Sequence, residues 1–379
     1  MVIRQIKSFS KTVFLIFIVI SCSAPAGQKK IIKRSNKYAG GFRIEKYDNY
    51  NKLIVLNPWE KAENISFEYA LINRNIKVPD SLASMKIIRT PVRRIICLST
   101  THLAFTDALN ENNSVVGISG EKYIYNPRIR DRYDKGSLVD VGYGQNLNYE
   151  LIISQNPDLV IVYGIGSEIT GYVNKLEELG VPVVIAAEYL EESPLGKAEW
   201  IKFIGALFEK EDMALQIFMR IEKEYLKLKN LTSDVKHKPL VMVGSLYKDQ
   251  WWVPGGNSYM ANLISDAGGE YIGSANNSNE SYVISFENAL VWADKAEIWI
   301  NMANMASRKE ILASDERYSS FRVFREGKIY NNIKRLSVHG GNDFWESGTV
   351  NPHKILRDLM IAFHPGLIDG DMTFYTEIR

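Results

Sequence analysis

Short apolar runs alternate with polar loops and with stretches of helical period along most of the chain, and from Pro91 onward the same order appears twice. PVRRIICLSTTHLAFTDALNENNSVVGISG reads strand, polar loop, helix, loop, strand. KPLVMVGSLYKDQWWVPGGNSYMANLISDAGGEYIG, from Lys238, repeats that order with a longer first loop. Each unit then continues through a polar stretch into a helix opened by Asn or Ser with Glu two positions on, and ends in an apolar strand that reads as buried. The first half writes this as NLNYELIISQNPDLVIVYG and the second as VISFENALVWADKAEIWINM. The duplication predicts two similar α/β lobes, 91–197 and 238–367, with a cleft between them, a common place for a small ligand.

The flanking segments differ in pattern. GFRIEKY, a turn at DNYN, KLIVLNP and ISFEYALI read as short strands joined by turns, a β-rich N-terminal extension over 38–90. Between the lobes, Met213, Ile217, Ile221, Tyr225 and Leu228 keep helical spacing while Glu222, Lys223, Glu224, Lys227 and Lys229 occupy the other side. This predicts a bridging helix within 198–231, after a break near Phe208. As the sole connection between lobes it is a stiff strut that limits hinge closure.

The N-terminus sets the compartment. MVIRQIKSFSK is basic, Val13 to Ile20 is an unbroken apolar run too short to span a bilayer, and Ser21-Cys22 follows, the layout of a secretory leader over 1–21. Cys22 after Val19-Ile20-Ser21 is placed as in a bacterial lipobox, with Ile20 departing from the small residue usual there. The competing reading is an ordinary cleaved signal with an incidental cysteine. Residues 22–37, polar and basic, then form a tether. The other cysteine, Cys97, lies in an apolar strand and reads as a small buried hydrophobe.

Composition narrows the function classes. The chain's 379 residues favour two domains. Its formal charge of +2 falls to −1 once the leader's Arg4, Lys7 and Lys11 are set aside, and no basic stripe offers a nucleic-acid surface. The five histidines are scattered, without HExxH or CxxC spacing, which speaks against a free-metal site. Gly117-Ile118-Ser119-Gly120 has the wrong spacing for a nucleophile elbow, GYGQNL breaks the dinucleotide pattern, and no Walker loop is present, so the chain reads as neither an enzyme nor the holder of a cofactor.

RRIICLSTTHLAFTDAL, VVGISG, NYELIISQNPDLVIVYG, PLGKAEWIKF, WWVPGGNSYMANLISDAGG, SFENALVWADKAEIWI and NDFWESGTVNPHKILRDLMIAFHP, taken in order, resemble the iron-chelate and vitamin B12 class of substrate-binding proteins for ABC importers. The resemblance covers about Pro91 to Leu367. It implies two lobes joined by one long helix, a ligand held with little closure, and delivery to an inner-membrane permease. Taken with the leader, it makes the expected protein a monomeric, membrane-anchored periplasmic lipoprotein. It also implies that Glu150 and Glu287, one per lobe, dock on permease arginines; locally, each is also placed to favour its helix dipole.

Loops at the strand ends facing the cleft supply the candidate ligand contacts. Thr100, His102, Lys122, Tyr123 and Tyr163 come from the first lobe, and Tyr247, Trp251, Trp252, Arg335 and Trp345 from the second. Tyr and Trp offer flat apolar area with a polar handle, suited to a rigid chelate or macrocycle. Trp252 and Phe344 read equally well as braces within the lobes, whereas Trp251, Tyr123 and Trp345 are favoured as contacts. Lys122 and Arg335 would answer an anionic ferric siderophore, cobalamin would need few charges, and haem would want an axial His or Tyr, with His102 and His339 in loops of opposite lobes. The expected cargo is an iron chelate of siderophore type, with cobalamin or haem as alternatives. An adhesion or assembly lipoprotein on the same scaffold is the reading from another class.

Overall fold

The computed structural model describes residues 36–379. The leader expected over 1–21, Cys22, and all of the tether except Asn36 and Lys37 lie outside the described residues. Among the described residues no helix is long and apolar enough to cross a membrane.

The extension is one four-stranded sheet of β1 (Phe42–Lys46), β2 (Asn51–Leu56), β3 (Ser66–Asn73) and β4 (Lys86–Thr90), in that order. The pairs β1–β2 and β2–β3 are antiparallel, and β3–β4 is parallel. Phe42, Leu53, Val55, Tyr69 and Leu71 share a core with Ile95, Leu103 and Phe105 of the lobe that follows. The extension is therefore built into the first lobe.

That lobe holds a parallel sheet of β5 (Ile95–Cys97), β6 (Val115–Ile118), β7 (Val139–Asp140), β8 (Leu159–Val162) and β9 (Val183–Ile185), ordered β7-β6-β5-β8-β9. Every residue of β5, β6, β8 and β9 is buried, which is why these strands read as continuous apolar runs: a strand covered on both faces has no solvent side to make polar. Cys97 is buried in β5, and burial pushes its thiol well above the ordinary cysteine range.

The second lobe comprises β10 (Leu240–Val243), β11 (Leu246–Tyr247), β12 (Gln250–Val253), β13 (Glu270–Tyr271), β14 (Tyr282–Ile284), β15 (Ile298–Ile300), β16 (Lys328–Asn331) and β17 (Thr376–Glu377). Its main sheet runs β13-β10-β15-β16-β17, and β11-β12-β14 form a small antiparallel side sheet. The sequence repeat is a topological repeat, since β6-β5-β8-β9 and β13-β10-β15-β16 match in order and all pair in parallel. The longer first loop of the second unit is the β11–β12 hairpin, turning through Lys248 and Asp249, both with positive φ. This lobe extends past the expected limit at 367. Phe374, Tyr375 and Ile378 are buried, β17 pairs antiparallel with β16, and the Asp358 carboxylate accepts the backbone N–H groups of Thr373, Phe374 and Tyr375 at 2.7, 2.5 and 3.1 Å.

The connection is segmented. Short helices Pro194–Glu199 and Ile201–Leu207 precede a break, where Glu209 takes φ 55°, and then a 21-residue helix runs Glu211–Leu231, about 30 Å long. Its buried stripe is Ala214, Phe218, Ile221 and Tyr225: Ile221 and Tyr225 lie on the expected line, whereas Met213 is exposed and Ala214 faces inward. The reason is a close crossing: a Cβ on Gly205 would lie 2.6 Å from the Ala214 Cβ, so the small residue must face inward. Ala214 and Phe218 pack in the first lobe's core, Ile221 and Tyr225 in the second's, and the helix is a strut fixed at both ends.

A strap crosses this strut where the described chain begins. The fully buried Glu199 carboxylate accepts the N–H groups of Lys37, Tyr38 and Ala39, and Glu191 accepts those of Gly40 and Gly41. Tyr38 donates to Glu222 on the strut at 2.6 Å, and its ring packs against both lobe cores.

Candidate ligand-binding cleft

In each sheet the first strand of the repeat lies in the interior and later strands are added on either side of it, so the loops leaving adjacent carboxyl ends diverge and open a crevice. The crevice between the lobes is a cavity of about 340 Å³. Ser99 and Thr100 reach it from the end of β5, Ser119 and Tyr123 from β6, Tyr143 from the loop after β7, and Tyr163 from β8; Asn304, Asn342 and Trp345 face them from the second lobe.

The first wall is organised by local turns. Ser99 caps the helix Thr100–Ala108 by accepting the Thr101 N–H, and Thr101 Oγ1 donates to the buried Glu188 at 2.5 Å. Asp140 takes the N–H groups of Gly120 and Glu121 and also that of Gly142, at 3.1, 2.9 and 2.9 Å, and so ties the turn bearing Tyr123 to the turn bearing Tyr143. Gly142, at φ +88°, admits no side chain, because a Cβ would sit 2.2 Å from the Asn146 carbonyl oxygen. The Tyr123 and Tyr143 rings lie 5.9 Å apart, and the Tyr143 and Tyr163 hydroxyls are 3.5 Å apart. Burial, then the Tyr143 phenol, holds the Tyr163 hydroxyl protonated well above the usual tyrosine range.

The opposite wall rests on an aromatic pair. Phe344 is buried against Phe374 and Tyr375, and Trp345, 52% exposed, stands edge-on to it at 4.7 Å. Phe344 is thus a brace, while Trp345 faces the cleft. The Asn331 amide holds the loop that carries Asn304 by donating to the carbonyls of Met302, Ala303 and Met305.

Of the residues expected at the cleft, Thr100, Tyr123, Tyr163 and Trp345 line it. Trp251 does not: it is 0% exposed, stacked with Trp299 and edge-on to Tyr318, because strand alternation in β12 turns it inward and turns Trp252 out. Trp252 and Tyr247 are exposed on the side sheet and are not among the residues that line the cavity. His102 is fully buried, edge-on to Tyr163 at 6.2 Å, and burial lowers its pKa, so a neutral ring backs the tyrosine. Arg335 pairs with Asp343 at 2.6 Å and faces a different cavity. Lys122 is exposed, with Nζ 5.0 Å from the centroid of the Tyr123 ring, and is not among the lining residues. Among the described residues no Lys or Arg lines the cleft. Tyr143 was missed in the sequence, where GYGQNL reads as a broken dinucleotide pattern; the signal is glycine on each side of an aromatic just after a strand.

Glu150 and Glu287 are exposed in the first turns of their helices, capped by Asn148 and Ser285. Glu287 is held below the usual carboxylate range by its own backbone N–H and the Ser285 hydroxyl.

The profile of a periplasmic binding protein family matches residues 95–334, which span β5 to β16 and the strut. The chain belongs to this family. Among relatives of the periplasmic binding protein, an uncharacterized lipoprotein of Methanocaldococcus jannaschii is 29% identical over 378 residues, covering 94% of this chain and 88% of its own. In solved structures, a periplasmic heme-binding protein from Roseiflexus, in apo form, aligns with a TM-score of 0.55 at 21% identity, covering 73% of this chain and 99% of that one. A protein of an ABC-type Fe3+-hydroxamate transport system from Saccharomonospora viridis aligns at 0.52 and 17%, covering 72% and 94%. At these identities the structures establish a shared fold.

Proposed function

We propose that this binding protein captures an iron chelate of low net charge in the inter-lobe cleft and hands it to an ABC importer. The observation that carries the reading is the lining itself: three tyrosines on one wall, an exposed indole on the other, and no Lys or Arg among the described lining residues. Aromatic faces hold a flat or apolar chelate, whereas a polyanionic siderophore calls for cations at its oxygens. Structural neighbours named for heme and for Fe3+-hydroxamate transport support the same ligand class. Haem is the second reading, favoured by the Tyr143 and Tyr163 hydroxyls, since a phenolate is a known axial ligand of haem iron. Delivery would use Glu150 and Glu287 as paired docking charges on the permease, and Cys22 would carry the lipid anchor.

Spectroscopic titration with hemin, a ferric trihydroxamate and cobalamin tests the ligand class. Saturable binding of either iron chelate is expected. A haem absorption shift that disappears in the Tyr143→Phe/Tyr163→Phe double variant would select haem, and binding of cobalamin alone would overturn the iron reading.

A further inference from the structure

A second cavity, about 450 Å³ and larger than the cleft, lies between the lobes on the side of the strut. A thin partition separates the two. In the segment 342–347, Asn342 and Trp345 face the cleft while Asp343, Glu346 and Ser347 line the second cavity; in the first lobe Tyr123 faces the cleft and Tyr125 and Asn126 the other side. The two segments are joined by a side-chain carboxylate and a close glycine approach. Buried Glu346 accepts the N–H groups of Tyr125 and Asn126 at 2.7 and 2.9 Å, and a Cβ on Gly341 would lie 2.5 Å from the Ile124 carbonyl oxygen.

The charges around this cavity are unevenly satisfied. Asp343 is paired with Arg335, and Asp107 with Arg128 at 3.5 Å. Burial raises Glu346 to about 8, against the N–H groups of Tyr125 and Asn126, which lower it. Two cations also line the cavity, Arg220 from the strut and Lys354 from the first turn of the helix Pro352–Phe363, and neither has an ion-pair partner among the described residues. Beside them His353 keeps Nδ1 buried without a hydrogen-bond partner, and Asn351 makes no side-chain bond to cap that helix. Cations without an ion-pair partner, beside an unsatisfied ring nitrogen, attract an oxyanion.

We propose that the second cavity binds a small organic anion bearing carboxylate or phosphate groups, held by Arg220 and Lys354 at its mouth and by His353 within. Its volume falls in the range of about 300–1,000 Å³ usual for small-molecule sites. A molecule there touches both lobes and the strut at once. The site is distinct from the cleft, and it stands whether or not the cleft takes an iron chelate.

Calorimetric titration of the full chain with inorganic phosphate and with citrate tests it. Saturable binding of at least one probe is expected, with affinity falling about tenfold or more in the Arg220→Gln/Lys354→Gln variant, the loss expected of removing charged contacts. Ala108→Leu, which fills the cavity from the first lobe without altering a charge, should block the same binding and covers the case in which the double variant does not fold. The proposal is overturned if neither probe binds, or if binding survives both variants.

Discussion

Neighbouring aromatics in this chain have opposite fates, decided one residue at a time. Trp251 lies in a cluster with Trp299, Tyr318 and Phe321, while Trp252, the next residue, is 46% exposed. Trp251→Ala should cost about 3–5 kcal/mol of stability by chemical denaturation, the range for a large core aromatic. Trp252→Ala should stay within about 0.5 kcal/mol, as at an ordinary surface position. The doublet's phase was not legible in the sequence because both residues suit either face of a strand. It is fixed by the turn at Lys248–Asp249 and by the pairing of Trp251 with Ile284, and neither leaves a local signature. His102 was misplaced for a similar reason. It lies three residues after the Ser99 cap, and its burial, with Tyr163 edge-on to the ring, is decided by tertiary packing. Tyr123, Tyr163 and Trp345 were legible because each directly follows a strand end or a glycine-bearing loop that must face the crevice.

Elements were easier to read than residues. Fully buried strands appear as unbroken apolar runs, and the repeat of the first half in the second is retained in strand order. What escaped was held by distant carboxylates. Glu199 collects three N–H groups from a segment more than 150 residues away in sequence, and Asp358 pins the C-terminal tail in the same manner. No periodicity announces either contact. Glu199→Ala would leave those donors unpaired. It should destabilise the fold by about 1–3 kcal/mol and raise amide exchange across 37–41, readable by hydrogen–deuterium exchange. Unchanged exchange in the strap would mean that Glu191, Tyr38 and the Lys37–Glu222 pair hold it without Glu199.

At the scale of the whole molecule, two similar lobes clamped to one strut present a cleft on one side and a glutamate on each lobe's surface. The double variant Glu150→Arg/Glu287→Arg should abolish cellular uptake while leaving ligand affinity and melting temperature near the parent, because both side chains are exposed and distant charges set docking more than folding. Uptake at normal protein levels that persists in this variant would remove the docking role. The central claim is that the cleft itself holds the cargo. Calorimetric titration of parent and Trp345→Ala protein, each with hemin and with a ferric trihydroxamate, tests it most directly. The chelate bound by the parent should lose about 1–3 kcal/mol of binding free energy in the variant, the cost of removing a central aromatic anchor, with no change in fold; equal affinity in the two proteins would move the cargo out of the cleft.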